Sequence, residues 1–369
     1  MAFSKIKFLL LTIVILLLPA IVLAKNINDN WTPKAVKYDW LQLTSLEWLK
    51  GEFKAMYNKK VEFDSDKLNL LTIKWKDIKY LQTHEINNIK IENYGSLIGF
   101  LTITDNKVII KTGKNDEDIK EFDRDEIISF TPAGEREIDL WSIKFSLGLN
   151  IKSGNTEQID YSSELTAKRR TASSRLTVYY IGNISKTDAV TGSLEETINK
   201  NRLTSGLDIY VTRNFFYNPL NAEYFRDPFS NIDKRITVGA GVGYALKNTS
   251  EFEWNISAGP AYLTTKYISV QAGDDIDDDT LSFTVSTDID LEINNNLDFL
   301  YKYNIQFSKQ ETGGYTHYMN ATLETEISKR LDLDISLIWD RISQPTINDQ
   351  GIRPEPDDFR LVLSIAFEF

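Results

Sequence analysis

The sequence predicts an all-β protein: a C-terminal transmembrane antiparallel barrel of about 12 strands, preceded by a small periplasmic β module with an internal duplication. Three observations carry this reading. Long runs with a strict two-residue beat fill residues 141–369, the last of them is apolar on one face up to the terminal Phe369, and the chain opens on an export-type segment.

Composition narrows the chemistry first. The 369 residues hold 42 Lys+Arg against 53 Asp+Glu, two His and no Cys. Without cysteine there is no disulfide framework, thiolate metal site or cysteine nucleophile, and two histidines leave little for an imidazole metal site. The acidic balance argues against nucleic acid, whose phosphates need clustered Lys and Arg. No cofactor is expected.

Residues 1–24 read as a signal peptide. Lys5 and Lys7 precede an uncharged apolar stretch from Phe8 to Leu23, and Val22-Leu23-Ala24 supplies a cleavage signature before Lys25. An uncleaved anchor is the alternative, and Pro19 with the Val-x-Ala ending favours cleavage near Ala24. After a short N-terminal segment, 25–35, no stretch approaches the roughly 18 apolar residues of a membrane helix.

Residues 36–131 carry an internal repeat, expected as a periplasmic module. One copy runs Trp48-Leu49-Lys50-Gly51, Val61-Glu62-Phe63 and Ile73-Lys74-Trp75-Lys76-Asp77-Ile78. The second runs Ser96-Leu97-Ile98-Gly99, Val108-Ile109-Ile110 and Glu121-Phe122-Asp123-Arg124-Asp125-Glu126-Ile127. Short alternating runs between turn signals predict one small barrel or sandwich per copy, each too short to bury much surface without its twin. His84, between the copies, reads as a surface residue. Pro132-Ala133-Gly134-Glu135 punctuates the chain and opens a linker, 132–140.

From Trp141 the texture changes. Leu281, Phe283, Val285, Ile289, Leu291 and Ile293 share one face, with Ser282, Thr284, Ser286, Asp288, Asp290 and Glu292 on the other. Such runs exceed the five or six residues of an ordinary strand and suit a wall with lipid on one side and a polar lumen on the other. Twelve strands are predicted, near 141–152, 156–169, 173–184, 200–213, 215–226, 232–246, 250–267, 279–293, 296–309, 314–328, 330–343 and 357–369. Tight connections around 170–172, 247–249, 294–295 and 329 alternate with long polar ones at 185–199, 268–278 and 344–356, a porin-type arrangement. Phe359, Leu361, Leu363, Ile365, Phe367 and Phe369 form the expected assembly signal, read by the barrel-assembly machinery. An outer-membrane location follows, with a secreted all-β protein as the alternative.

Asp39-Trp40-Leu41-Gln42-Leu43, Glu47-Trp48-Leu49-Lys50-Gly51, Glu62-Phe63-Asp64-Ser65-Asp66, Asp139-Leu140-Trp141 and Leu147-Gly148-Leu149-Asn150, with Tyr224-Phe225-Arg226-Asp227-Pro228-Phe229 and Gly239-Ala240-Gly241-Val242-Gly243-Tyr244, stand in an order that resembles the YdiY-like family. Its members are described as salt-induced outer-membrane proteins. The resemblance implies an outer-membrane barrel of undefined activity, with no agreed catalytic residues, and a part in envelope integrity or salt and osmotic stress.

Strand parity selects the candidate lumen charges: Lys144, Lys168, Arg170 and Arg175 on early strands, and Asp288, Asp290, Glu292, Glu324, Glu326, Asp332, Asp334 and Glu368 on late ones. Opposed basic and acidic walls predict a narrow cation-preferring channel; mutual pairing predicts a plugged lumen. Tyr315, His317 and Arg341 fall near the outer rim, where outer-membrane lipids and lipopolysaccharide phosphates are the expected contacts. A phospholipase built on His317 and Ser343 is a remote reading, because diagonal neighbours at roughly 7 to 8 Å are loose for a nucleophile and its base. Asp274-Asp275-Ile276-Asp277-Asp278-Asp279 does not match a calcium loop and reads as a solvated outer loop. No catalytic or metal residue is expected, and the module's partner is not legible.

Overall fold

The computed structural model describes residues 32–113, 118–134, 136–152, 157–188 and 194–368, with backbone alone at 151 and 152. The export segment and the terminal Phe369 lie outside the described residues. Among those described, no helix is long and apolar enough to cross a membrane, which says nothing of strands.

The N-terminal module contains β1 (Asp39–Leu43), β2 (Trp48–Tyr57), β3 (Lys60–Ser65), β4 (Asn69–Lys74), β5 (Ile78–Ile91), β6 (Gly95–Ile103), β7 (Lys107–Lys111), β8 (Ile119–Asp123) and β9 (Ile127–Pro132). β1 pairs with β2 and β5, and β9 pairs with the same two strands, so four strands close a small barrel. β3–β4 extends from β2, and β6–β7–β8 extends from β5. The duplication is plain in the order of elements: each copy has four consecutive antiparallel strands, a single 3-10 turn (Trp75–Asp77 or Arg124–Glu126) and a closing strand.

The copies do not form two separate barrels, as the sequence led us to expect. The long β5 closes the first copy and opens the second, and one cluster runs through both, from Leu41, Phe53 and Phe63 to Leu101, Ile110 and Phe130. The reason is size: forty to fifty residues bury too little apolar surface alone. Arg124 of the second turn locks onto the first by donating to the carbonyls of Trp75 (2.6 Å) and Ile78 (2.7 Å) while lying 4.2 Å over the Trp75 ring. The two repeat glycines are explained by close approach, since a Cβ at Gly51 would meet the Asp64 carbonyl at 2.0 Å and one at Gly99 the Lys111 carbonyl at 2.6 Å. His84 is not a simple surface residue. Its Nδ1 lies 2.6 Å from the buried Asp39 carboxylate, which also accepts the backbone N–H groups of Phe53 and His84.

After a 3-10 turn, Glu137–Leu140, twelve antiparallel strands close a barrel: β10 (Trp141–Lys152), β11 (Gln158–Arg170), β12 (Ser174–Asp188), β13 (Leu194–Tyr210), β14 (Phe215–Asp227), β15 (Ile232–Asn248), β16 (Phe252–Tyr267), β17 (Asp277–Asn294), β18 (Leu297–Phe307), β19 (Tyr315–Ser328), β20 (Leu331–Ile342) and β21 (Asp357–Glu368). β10 pairs with β21 in the register Lys144↔Glu368 to Leu147↔Ile365, so no edge remains. The β12–β13 hairpin runs further than the sequence suggested, with pairing as far as Asp188↔Leu194, so most of the expected 185–199 loop is strand. Outward positions are apolar and bare, as at Leu281 (77% exposed) and Leu361 (76% exposed), whereas inward Thr265, Ser282, Ser336 and Ser364 are buried. That inversion, grease outside and polar inside, suits a wall standing in hydrocarbon.

Candidate functional site: a lumen closed at both ends

The site is the barrel interior, and it divides into three levels. At the end away from the module, Lys200 and Arg202 of β13 meet Asp340 of β20 and Arg360 of β21. Asp340 accepts from Lys200 (3.3 Å), Arg202 (2.7 Å) and Arg360 (2.6 Å). Lys200 also reaches Asp227 (2.9 Å) and Asp358 (2.6 Å), and Arg202 reaches Glu223 (2.6 Å). Lys200, Arg202, Asp227, Asp340 and Arg360 are all but inaccessible, Glu223 and Asp358 are partly open, and the layer leaves a gap of only about 30 Å³. Sequence reasoning missed this distal seal, although Asp340 continues the inward parity of Asp332 and Asp334, and Lys200 and Arg202 alternate with neutral Asn201 and Leu203.

At the module end the predicted lumen charges separate into two groups. Lys144 is one strand from β21 through barrel closure, so it does not oppose the acidic strands as expected; it pairs with Glu324, with Asp332 (3.0 Å) and with Asp334 (3.5 Å). Carboxylate oxygens of Glu324, Asp332 and Glu368 lie within 4.8 Å of one another, a spacing that could accept a cation, but the Lys144 ammonium already pairs with two of them. Glu326 is exposed at the rim. Arg175 pairs with Asp208 (2.8 Å) and Glu253 (3.0 Å), two acids not anticipated from the sequence.

The module covers this mouth. The tip of the β2–β3 hairpin brings Asn58 to Glu253 (2.5 Å), Lys60 to Glu292 (3.3 Å) and the Tyr57 ring to 5.4 Å from the Arg170 guanidinium. Lys74 bridges Glu251 and Glu292, each at 3.2 Å, and Lys76 reaches Glu251 at 3.1 Å. Hydrogen bonds from Lys76 and Lys74 hold the Glu251 carboxyl below the usual carboxylate range; Glu292 and Glu251 push the Lys74 ammonium up. Desolvation by the surrounding protein raises the carboxyl of Glu62, whose side chain stays exposed, with Arg170 offsetting part of that. On the other flank Arg213 donates to the carbonyls of Asp125 and Ile127, and Ser129 to that of Ala172.

Between the seals lies a cavity of about 360 Å³. Its β13–β17 side is cleared by small residues such as Gly206, Gly239, Gly241 and Ser257, while Lys168, Arg170, Asp288, Asp290 and Lys302 supply charge. At Gly239 and Gly241 a Cβ would strike the Pro260 and Ala258 carbonyls at 2.8 and 2.5 Å, which is why the bare backbone is kept there.

The outer-rim residues sit in an aromatic band. Register places His317 opposite Arg341. His317 stacks on Trp339 (5.3 Å), meets Tyr315 edge-on (5.4 Å) and holds Tyr303 Oη at 2.6 Å through Nδ1. Arg341 pairs with Asp357. Ser343 Oγ donates to the Gly313 carbonyl and accepts the Tyr315 N–H, so its hydroxyl is engaged with backbone rather than with His317. The predicted assembly face, Phe359, Leu361, Leu363, Ile365 and Phe367, is exposed on the outside of β21.

A closed antiparallel barrel of the outer-membrane type, its lumen interrupted by ionic layers, is the class of protein these features define. Residues 145–369 match the family described as "Protein of unknown function, DUF481", and the chain belongs to that family. No curated protein matches it. Among solved structures it is similar to the NanC porin (9% identity, 62% of this chain and 98% of that one, TM-score 0.38). It is also similar to the translocator domain of the autotransporter NalP from Neisseria meningitidis (9%, 62% and 88%, 0.34) and to a Pseudomonas aeruginosa FadL homologue (8%, 90% and 86%, 0.25).

Proposed function

We propose that this is a non-enzymatic outer-membrane protein, inserted with its module on the periplasmic side, whose barrel is closed at rest and which acts in envelope integrity under salt or osmotic stress. The observation that carries the closed state is the double seal: the Asp340 network at one mouth and the module hairpin at the other. The stress role draws on the resemblance to YdiY-like proteins and on physics, because the module's half-exposed ion pairs are the kind that salt screens within a Debye length of roughly 8–10 Å. Barrel ends on the module side and an exposed aromatic band at the other rim support the orientation and the expected contact with lipopolysaccharide.

A second reading is a gated, cation-preferring channel. It is favoured by the central cavity, which small side chains leave unfilled where a narrower barrel would be packed. Planar-bilayer recording separates the two. Purified full-length protein gives no steps above leak if the closed reading holds; steady conductance in the unmodified protein removes it. Survival of a deletion strain in high salt tests the stress role.

A further inference from the structure

We propose that the central cavity is a binding chamber for a small zwitterion of amino-acid size, its carboxylate on Lys168 and its ammonium on Asp288 and Asp290. The argument is the contrast between levels of one lumen. At both ends, charged side chains pair within about 3 Å. Just inside the module-side layer, where Asp290 is the register partner of Glu253, the same residue types stand apart: among the described residues Lys168, Asp288 and Asp290 make no ion pair or hydrogen bond. Asp288 is the register partner of Lys302, yet the Lys302 ammonium lies 4.4 Å over the Tyr179 ring instead. Paired charges close a barrel, whereas charges held apart across open space leave their fields free for a guest.

The placement is complementary. β11, which carries Lys168, and β17, which carries Asp288 and Asp290, are six strands apart in a ring of twelve, so the two signs face each other across the lumen. Lys168 lies two residues and Asp290 four residues from the module-side ends of their strands, so they stand at a similar height. Residues such as Gly206, Gly241 and Ser257 clear the flank and leave the 360 Å³ space, within the range of small-molecule sites. A solute with one charge would satisfy one wall and leave the other bare; a zwitterion satisfies both.

The test is calorimetric titration of the detergent-solubilised full-length protein with 6-aminohexanoate, and with hexanoate and butylamine as singly charged probes. It is repeated on K60E/K74E, in which the hairpin is repelled from Glu251 and Glu292 and the chamber opened. We expect saturable binding of the aminohexanoate alone. K168M and D290N each weaken it at least tenfold while retaining heat-modifiable gel migration, and the exchanged pair K168D/D290K regains it, because the same solute fits turned end for end. Absence of binding in both proteins, equal binding of a singly charged probe, or failure of the exchange to rescue overturns the proposal. Conductance is a separate readout, so a closed or an open barrel is decided independently.

Discussion

Asn58, at the tip of a module hairpin, donates its side-chain amide to Glu253 on the lumen wall at 2.5 Å, across 195 positions of sequence. Because Glu253 also accepts from Arg175, the module completes a hydrogen-bonded layer that begins inside the barrel. A module on a flexible tether would have no such shared layer.

Docking is expected to depend on pH and salt through Lys74 and Glu251. The Glu251 carboxyl is depressed, so its contribution is present above the unfolded carboxylate value of about 4.3 and is lost as pH falls through its lower folded value. The Lys74 ammonium is raised, so its contribution is full below about 10.4 and disappears only at more alkaline pH. Between those limits docking is flat with pH. Proteolysis of the 132–140 linker should accelerate several-fold in acid, in 1 M salt and in Lys74→Glu. Equal rates in all conditions would show that the ion pairs do not hold the module.

The Asp340 seal predicts a large stability effect. Asp340→Asn leaves Lys200, Arg202 and Arg360 close together with part of their compensation gone. Removing one member of a buried charge set costs about 3–5 kcal/mol, here somewhat less because Glu223 and Asp358 remain. The temperature at which the folded gel band converts to the unfolded one should drop markedly. Asp357→Asn, at the half-exposed rim pair with Arg341, should lower it far less.

Gly259 tests the backbone contact behind the small-residue flank. A Cβ there would lie 2.0 Å from the Ala240 carbonyl and 2.5 Å from the Gly241 Cα, both main-chain atoms. Gly259 lies on β16 between the pairs Gly239↔Ala261 and Val242↔Ala258, which share one register, so the two backbones run closely side by side there. Gly259→Ala should therefore destabilise the barrel by about 1–3 kcal/mol, the usual range for forced overpacking. Gly273→Ala, in a loop with open space, carries only the strain of φ 101° and should cost less.

The strand walls were legible because a two-residue period is written into every one of them, and the count of 12 follows directly. The repeat was legible as paired strings around Gly51 and Gly99, but not its fusion through β5, which depends on how little each copy can bury. Lumen charges could be assigned a face by parity, while their partners could not. Lys144 meets Glu324 only because β10 closes onto β21, and Asn58 meets Glu253 only because the module folds back over the mouth. Both are long-range consequences of topology with no local signal.

The outward face of β21 tests the membrane reading itself. Leu363 stands midway along the strand and is 61% exposed. In water an exposed Leu→Arg change is nearly neutral, whereas facing the bilayer midplane it costs about 2–4 kcal/mol. Leu363→Arg should lower membrane-inserted, heat-modifiable protein sharply. Unchanged yield and unchanged unfolding in denaturant would mean that the face does not meet lipid.

Two seals in series make a prediction that neither makes alone. Current through the lumen must pass both the module hairpin and the Asp340 layer, so opening one leaves the resistance set by the other. Lys60→Glu with Lys74→Glu repels the hairpin from Glu251 and Glu292. Arg202→Ser with Arg360→Ser removes two long side chains from the distal layer while Lys200 stays paired with Asp340 and Asp227. Each pair of substitutions should leave planar-bilayer current near leak, and the four together should give discrete steps that favour cations, since Asp288, Asp290 and Glu292 then line the path. Full conductance from the module-side pair alone would show that the distal network does not close the barrel, and silence from the quadruple variant would show that the obstruction lies elsewhere in the lumen.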